Sequence, residues 1–462
     1  MRGAWTRRKS IEQLQQEAGA SKQFRRVLGL WQLTAIGLGG IIGVGIFVLT
    51  GVVAATQAGP AVLIAFILAG IASGAAALCY AEFAGMIPVA GSAYTYGYAV
   101  LGEFAAWLLG WDLLLCYALI VAVVAAGWSG YVQALLGVAG ISLPLWAQGA
   151  AGSGPGHVFD ITAAAVALAI AVLLTMRTEW GARFNTAIVA VKIAGVLLVI
   201  LAGVAYVNPG NWHPFMPFGF HGVLAGAAVV FFAVFGYDTL TTAAEEAKDP
   251  QRDLPWAVVL SLGIAMVLYL GMSLVLTGIV PSSTLNNAAP VANAFTAIGL
   301  HWVMVVVSAA VVTGITSVLF ANMLAGARIG FALSRDGLLP AWFSAVHPRY
   351  HTPHRATLIL GVATAAAAGL FPLTVVAEVV NFGMLAAFAV ICVAVIILRR
   401  ARPEVARSFR VPFVPVLPLV GAAFSLWLIW GLPVGVWLGF AAWMAGGALV
   451  YLGYGMGHSR LR

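Results

Sequence analysis

Apolar residues run along this chain in long blocks separated by short polar stretches. Crossing the hydrocarbon core of a bilayer takes about 20 predominantly apolar residues as helix. Twelve blocks approach or exceed that length, at roughly 33–55, 60–81, 104–126, 158–176, 184–207, 220–244, 254–281, 302–327, 356–371, 375–398, 413–430 and 433–455. They are called segments one to twelve. The last two form one uncharged stretch, and Gly431-Leu432-Pro433 predicts the turn between them.

The pattern is interrupted where a membrane helix should be continuous. GLGGIIGVGIF, Gly37 to Phe47, lies inside segment one, and Gly39, Gly40, Gly43 and Gly45 fall within seven residues. Glycine is a poor helix former, yet every backbone polar group in lipid must find a partner. The stretch is expected to unwind, and unwound backbone at membrane depth is tolerated where it lines a cavity. Segment six carries a second interruption, Gly236 in FFAVFGYDT (Phe231 to Thr239). Segments one and six lie five apart, an odd number, so the two halves would have opposite orientation, as in an inverted repeat.

Composition agrees with the pattern. The chain is 62% hydrophobic and 8% charged, with a mean hydropathy of +1.00. These values exclude a soluble domain of this length. The sequence pI of 9.6 would suggest nucleic acid, but the basic residues sit in the first thirty residues, in alternate loops and at the C-terminus. The loops at 127–157, 208–219 and 282–301 hold no Lys or Arg. This is the positive-inside pattern, and it predicts that both termini are cytoplasmic. The basic excess then faces the anionic inner leaflet, and nucleic acid is not an expected partner. The polar first thirty residues predict no cleavable signal peptide. Ile11 to Val27 reads either as a basic amphipathic helix on the inner membrane face or as a disordered tail.

Few ionisable groups fall inside the segments, and each is costly there. Lys192, in segment five, breaks the positive-inside pattern. It lies nine residues beyond Arg183, roughly 14 Å at 1.5 Å per residue. Gly43 lies ten residues into segment one, at roughly 15 Å by the same rise. An ammonium and freed carbonyls are thus expected at one depth, where three N–H donors suit them. Two readings are open. Lys192 serves proton coupling by releasing its proton in one conformation, or it is a fixed structural cation. Asp238 in segment six either braces a second half-helix at a break with Gly236, or is a snorkelling acid beside a packing glycine. Asp112 in segment three reads as a structural hydrogen-bonding group. Cys79, Cys116 and Cys392 read as small packing residues, with no disulfide or metal implied. His347, His351 and His354 have metal-like spacing, but Pro348 and Pro353 interrupt any helix, so a solvated loop is expected. No metal and no cofactor are expected.

A broken helix exposes N–H groups at the start of its second half and C=O groups at the end of its first. The first can take a carboxylate and the second an ammonium, which are the two charges of an α-amino acid. Val44, Gly45 and Ile46 are candidate N–H donors, Gly40 and Ile41 candidate carbonyls, and Gly43 the structural glycine of the break. Phe232 and Phe235 would add carbonyls and an aromatic lid. Cys116 and Asn322 are candidates for the side-chain end, with an interhelical hydrogen bond the other reading of Asn322.

At these residues the chain resembles the amino acid–polyamine–organocation transporter superfamily, and within it bacterial members of the cationic amino acid transporter family. The motifs are GIIGVGIFVLTG with the following AGP (Gly40 to Pro60), CYAEFAGMIPVAGSAYTY (Cys79 to Tyr96), ARFNTAIVAVK (Ala182 to Lys192), FGYDTLTTAAEEAKDPQRDLP (Phe235 to Pro255), SRDGLLP (Ser334 to Pro340) and FRVPFVP (Phe409 to Pro415). The resemblance implies an all-α integral membrane protein of about twelve helices, with helices one and six broken mid-membrane. It implies a cytoplasmic N-terminal segment (1–30), inverted repeats over 31–207 and 220–398, two added helices (411–455) and a cytoplasmic tail (456–462). It further implies a secondary active transporter of the cell membrane that imports L-amino acids by alternating access, with the lysine of segment five in the cation position and a proton as coupling ion. Related members often carry a glutamate where this chain has Cys116. Its absence favours neutral or broad amino acid selectivity over strictly cationic. The competing expectations are an amino acid or polyamine exchanger without net proton coupling, and a channel or receptor. A channel is opposed by segments two, seven, eight and nine, which are almost wholly apolar.

Overall fold

In the computed structural model, residues 7, 28–87, 92–176, 182–347 and 352–460 are described. The proposed helix over Ile11–Val27 lies outside them, as does His351. Among the described residues the chain is helical, with only two isolated β-bridges, Leu28 to Ala247 and Ala150 to Val158.

Among the described residues eight helices are long and apolar enough to cross a membrane: Gly45–Met86, Glu103–Val138, Thr186–Tyr206, Gly219–Thr241, Pro250–Ile279, His301–Arg335, Leu373–Ala401 and Val434–His458. Four shorter apolar helices accompany them, Leu30–Ile41, Ile161–Met176, His354–Leu370 and Val416–Trp430. The first of the eight joins the second half of segment one to segment two through a bend at Gly59, whose φ of 62° only glycine adopts readily.

Segment three departs from its expected end near residue 126 and continues as helix to Val138. This stretch carries Ser129 and Gln133. Their polarity is absorbed internally, since Ser129 donates to the Asp160 carboxylate at 2.7 Å and Gln133 donates to Ser129 and to the Gln148 carbonyl.

Both interruptions are present in the backbone. The helix Leu30–Ile41 ends where Ile42 turns extended, with ψ of 101°, and helical geometry resumes at Val44. In segment six the helix Gly219–Val230 tightens into a 3₁₀ turn over Phe231–Ala233. It breaks at Gly236 (φ 113°) and restarts as a 3₁₀ helix over Tyr237–Glu246.

The breaks lie backbone against backbone. A Cβ on Gly40 would stand 2.6 Å from the Gly236 carbonyl oxygen, and one on Gly236 would stand 2.7 Å from the carbonyl carbon and oxygen of Gly40. One on Gly45 would collide with Ala233. The glycines therefore do more than weaken a helix, because their missing side chains let two unwound strands of chain meet.

Candidate functional site

Between the two breaks lies a small cavity. Segment one contributes Gly40, Ile41, Gly43, Val44 and Gly45, and segment six contributes Phe232, Phe235, Gly236 and Asp238. The remaining wall is Ile120 and Val124 from segment three with Val318 and Asn322 from segment eight. Asp238 is the only ionisable side chain among these lining residues.

The backbone at the break can be accounted for group by group. The last four carbonyls of a helix lack intrahelical partners, here those of Leu38, Gly39, Gly40 and Ile41. The Ile42 N–H donates to Leu38 at 2.9 Å, the Lys192 ammonium to Gly39 at 2.8 Å and the Tyr269 hydroxyl to Ile41 at 2.8 Å. Gly40 itself lines the cavity, with its carbonyl close to Gly236. The Ile41 carbonyl, expected as an acceptor for a ligand ammonium, already accepts from Tyr269, which reaches in from segment seven. Past the break, Val44, Gly45 and Ile46 form the first turn of the resumed helix, whose N–H groups have no helical partner. Val44 and Gly45 line the cavity, and Ile46 does not.

Lys192 is 1% exposed. Its stem passes Gly314 of segment eight, where any side chain would overlap the Lys192 Cγ and Cε. Asp238 is equally buried. Its Oδ2 accepts from the Tyr117 hydroxyl at 2.6 Å, while Oδ1 has no partner among the described residues. Phe232 and Phe235 meet edge to face, with ring centroids 5.3 Å apart.

Two expected side-chain candidates part company. Asn322 lines the cavity, and its amide donates to the Val318 carbonyl of its own helix at 2.9 Å. Cys116 does not line the cavity. It points away toward segment ten, 3.4 Å from the Asp112 carboxylate and 3.8 Å from the Val380 carbonyl, against Gly383. One helical turn separates Cys116 from Ile120, and it is Ile120 that lines the cavity. Asp112 correspondingly has a hydrogen-bonded partner in the Cys116 thiol. The three cysteines are buried and free. Among the described residues no group of three His, Cys, Asp or Glu side chains is placed to hold a metal. His347 and His354 meet edge to face, ring centroids 5.2 Å apart.

Reasoning from charges missed the neutral polar groups that hold the breaks. Tyr131 donates to the Phe47 carbonyl at 2.8 Å. Ser73 donates to the Val234 carbonyl and accepts, through its own carbonyl, from Tyr237. Asn381 donates to Ala228 and Val229. A hydroxyl or amide inside an otherwise apolar segment was the available signal, since such a group seeks a partner in lipid.

The profile of the family described as amino acid permease matches residues 28–458. The chain is 47% identical over 455 residues, 98% of each sequence, to the methylthioribose transporter of Bacillus subtilis (strain 168). It is 42% identical over 464 residues, the whole of both, to the branched-chain amino acid permease BcaP of the same organism. With the vacuolar cationic amino acid transporter 4 of Arabidopsis thaliana it shares 36% over 389 residues, 83% of this chain and 64% of that one. A family profile spanning nearly every described residue, and whole-length relatives named as permeases and transporters, fix the class: the chain is a multi-pass membrane transporter, not an enzyme, and belongs to the amino acid permease family of the amino acid–polyamine–organocation superfamily.

Proposed function

We propose that this chain imports small neutral L-amino acids across the cell membrane by proton-coupled alternating access, with both termini cytoplasmic. The observation that carries the reading is the facing pair of backbone breaks around one cavity. The amide end at Val44 and Gly45 suits a carboxylate and the carbonyl end at Gly40 suits an ammonium, so the invariant part of an amino acid would be read by backbone. The ligand's side chain would lie against Ile120, Val124 and Val318. Those residues offer no charge to an arginine or lysine, and the branched-chain permease among the relatives supports the same preference. Lys192 on the Gly39 carbonyl supports coupling, because loss of its proton would release the end of the first half-helix. The five-plus-five repeat over 31–207 and 220–398, with 411–455 added, is part of this proposal.

The methylthioribose transporter favours a second reading, a neutral sugar thioether. The free Oδ1 of Asp238 and the Asn322 amide would then meet hydroxyl groups. Thermal-shift measurement of the purified protein against the twenty amino acids, common polyamines and methylthioribose separates the readings. A binder raises stability by RT ln(1 + [L]/Kd). Stabilisation by leucine, isoleucine or valine supports the first, and stabilisation by methylthioribose alone replaces it with the second. Counterflow without an imposed pH gradient tests exchange against symport.

A further inference from the structure

We propose that Asn381 is a positioning residue that clamps broken segment six as Lys192 clamps broken segment one. Asn381 lies on segment ten, far in sequence from both breaks, and is fully buried. Its Nδ2 donates to two successive carbonyls, Ala228 at 2.7 Å and Val229 at 3.0 Å. Both belong to the last turn of the helix Gly219–Val230, where carbonyls lose their helical partners. Two hydrogens on one nitrogen match two adjacent acceptors. The flipped amide would set its oxygen against both carbonyls, so these acceptors fix the orientation. Oδ1 then points away and has no partner among the described residues.

The pattern of clamps gives this contact its meaning. Segment one is held at Gly39 by Lys192 of segment five and at Ile41 by Tyr269 of segment seven. Segment six is held at Ala228 and Val229 by Asn381 of segment ten and at Val234 by Ser73 of segment two. Exchanging one for six, five for ten and seven for two turns the first set into the second. Each break therefore receives one clamp from the segment four places on and one from the neighbour of its partner break. The clamps differ in chemistry. An ammonium can shed a proton and change its charge, whereas a carboxamide keeps its donors over the whole accessible pH range. Segment one is built to be released, and segment six to be held, so that Phe232 and Phe235 keep their places on the cavity wall.

The inference rests on the cavity being the substrate site. The test measures ligand-induced thermal shift and uptake in proteoliposomes for the wild type, Asn381→Ala, Asn381→Ser and Lys192→Ala, with leucine and methylthioribose as probes. A wild-type protein stabilised by neither probe overturns the functional reading. Given wild-type binding, Asn381→Ala is expected to raise KM at least tenfold, with kcat changed less than threefold and the response to a pH gradient retained. Asn381→Ser, which keeps one donor, should fall between. Lys192→Ala should lose the gradient response. An Asn381→Ala protein with wild-type KM overturns the inference, as does one that loses the gradient response along with Lys192→Ala. Failure of both Asn381 variants to fold overturns it too, since Asn381 would then serve the fold rather than the position of segment six.

Discussion

The Lys192 ammonium lies 2.8 Å from the Gly39 carbonyl oxygen, 153 residues away in the chain. One buried positive charge thereby closes the end of a half-helix whose next residue, Gly40, lines the cavity. Lys192→Ala should retain counterflow of labelled substrate but lose accumulation driven by an inward proton gradient in proteoliposomes. Removing the donor also leaves the Gly39 carbonyl buried and unpaired, at a cost of about 1–3 kcal/mol, which a lowered melting temperature would register. Undiminished concentrative uptake by the variant would end the coupling proposal.

The meeting of the two breaks makes a second prediction. Gly236 has a φ of 113°, and a Cβ there would strike the carbonyl of Gly40. Gly236→Ala combines a backbone conformation that L-residues avoid with a clash that only separation of the breaks relieves. It should abolish substrate-induced thermal stabilisation and lower stability by at least about 1–3 kcal/mol. Gly74→Ala is the matched control. Nothing lies within 4 Å of its added Cβ, its backbone is helical, and the change should be neutral or stabilising by up to about 1 kcal/mol. Equal behaviour of the two variants would show that the apposition of the breaks carries no functional weight.

How much of this was legible beforehand depended on the kind of signal. Glycine spacing placed the break in segment one, because four glycines within seven residues suit a continuous membrane helix poorly, whereas the single Gly236 left a break and a packing glycine both open. Arithmetic on helix rise placed Lys192 level with segment one, and the ammonium does reach a carbonyl of that break. Exact depth along a helix was beyond reach. Cys116 and Ile120 lie one turn apart on nearly the same face, and Ile120 is the one that lines the cavity. Neutral donors were also passed over. Tyr269, Ser73 and Asn381 carry no charge to mark them as expensive, yet they hold the carbonyls of Ile41, Val234, Ala228 and Val229. Glu82 escaped for a different reason. It lies one residue beyond the expected end of segment two and read as a loop acid.

The position of Cys116 yields a prediction about selectivity. Installing a carboxylate there looks like a route to arginine recognition. The thiol, however, faces Asp112 and the Val380 carbonyl rather than the cavity. Cys116→Glu would bring a second acid beside Asp112 in a buried interface, where two like charges cannot both ionise cheaply. The variant should lose thermal stability and gain no stabilisation from arginine, whereas Ile120→Glu places its acid at the cavity wall. Arginine binding by Cys116→Glu, measured by thermal shift, would show that segment three turns during the transport cycle.

Glu82 anchors a contact remote from the cavity. It is 1% exposed. The Arg399 guanidinium is paired with it through two nitrogens, the Arg407 Nε donates at 3.2 Å, and the Val411 N–H donates at 2.8 Å. One carboxylate thus ties the end of segment two to the end of segment ten and to the loop that follows. Glu82→Ala would leave Arg407 buried without its counter-charge, and breaking a buried pair from one side costs about 3–5 kcal/mol. Replacing Glu82 by Gln keeps the volume and one acceptor but removes the charge, so it should cost less than Ala and more than nothing. Both variants should lower the melting temperature in detergent while leaving the substrate Kd of the folded fraction within about threefold of wild type, a tolerance of under 1 kcal/mol. A large change in Kd with an unchanged melting temperature would instead make the knot part of the transport cycle, since a contact that only holds the scaffold has no means of altering affinity at a cavity it does not touch.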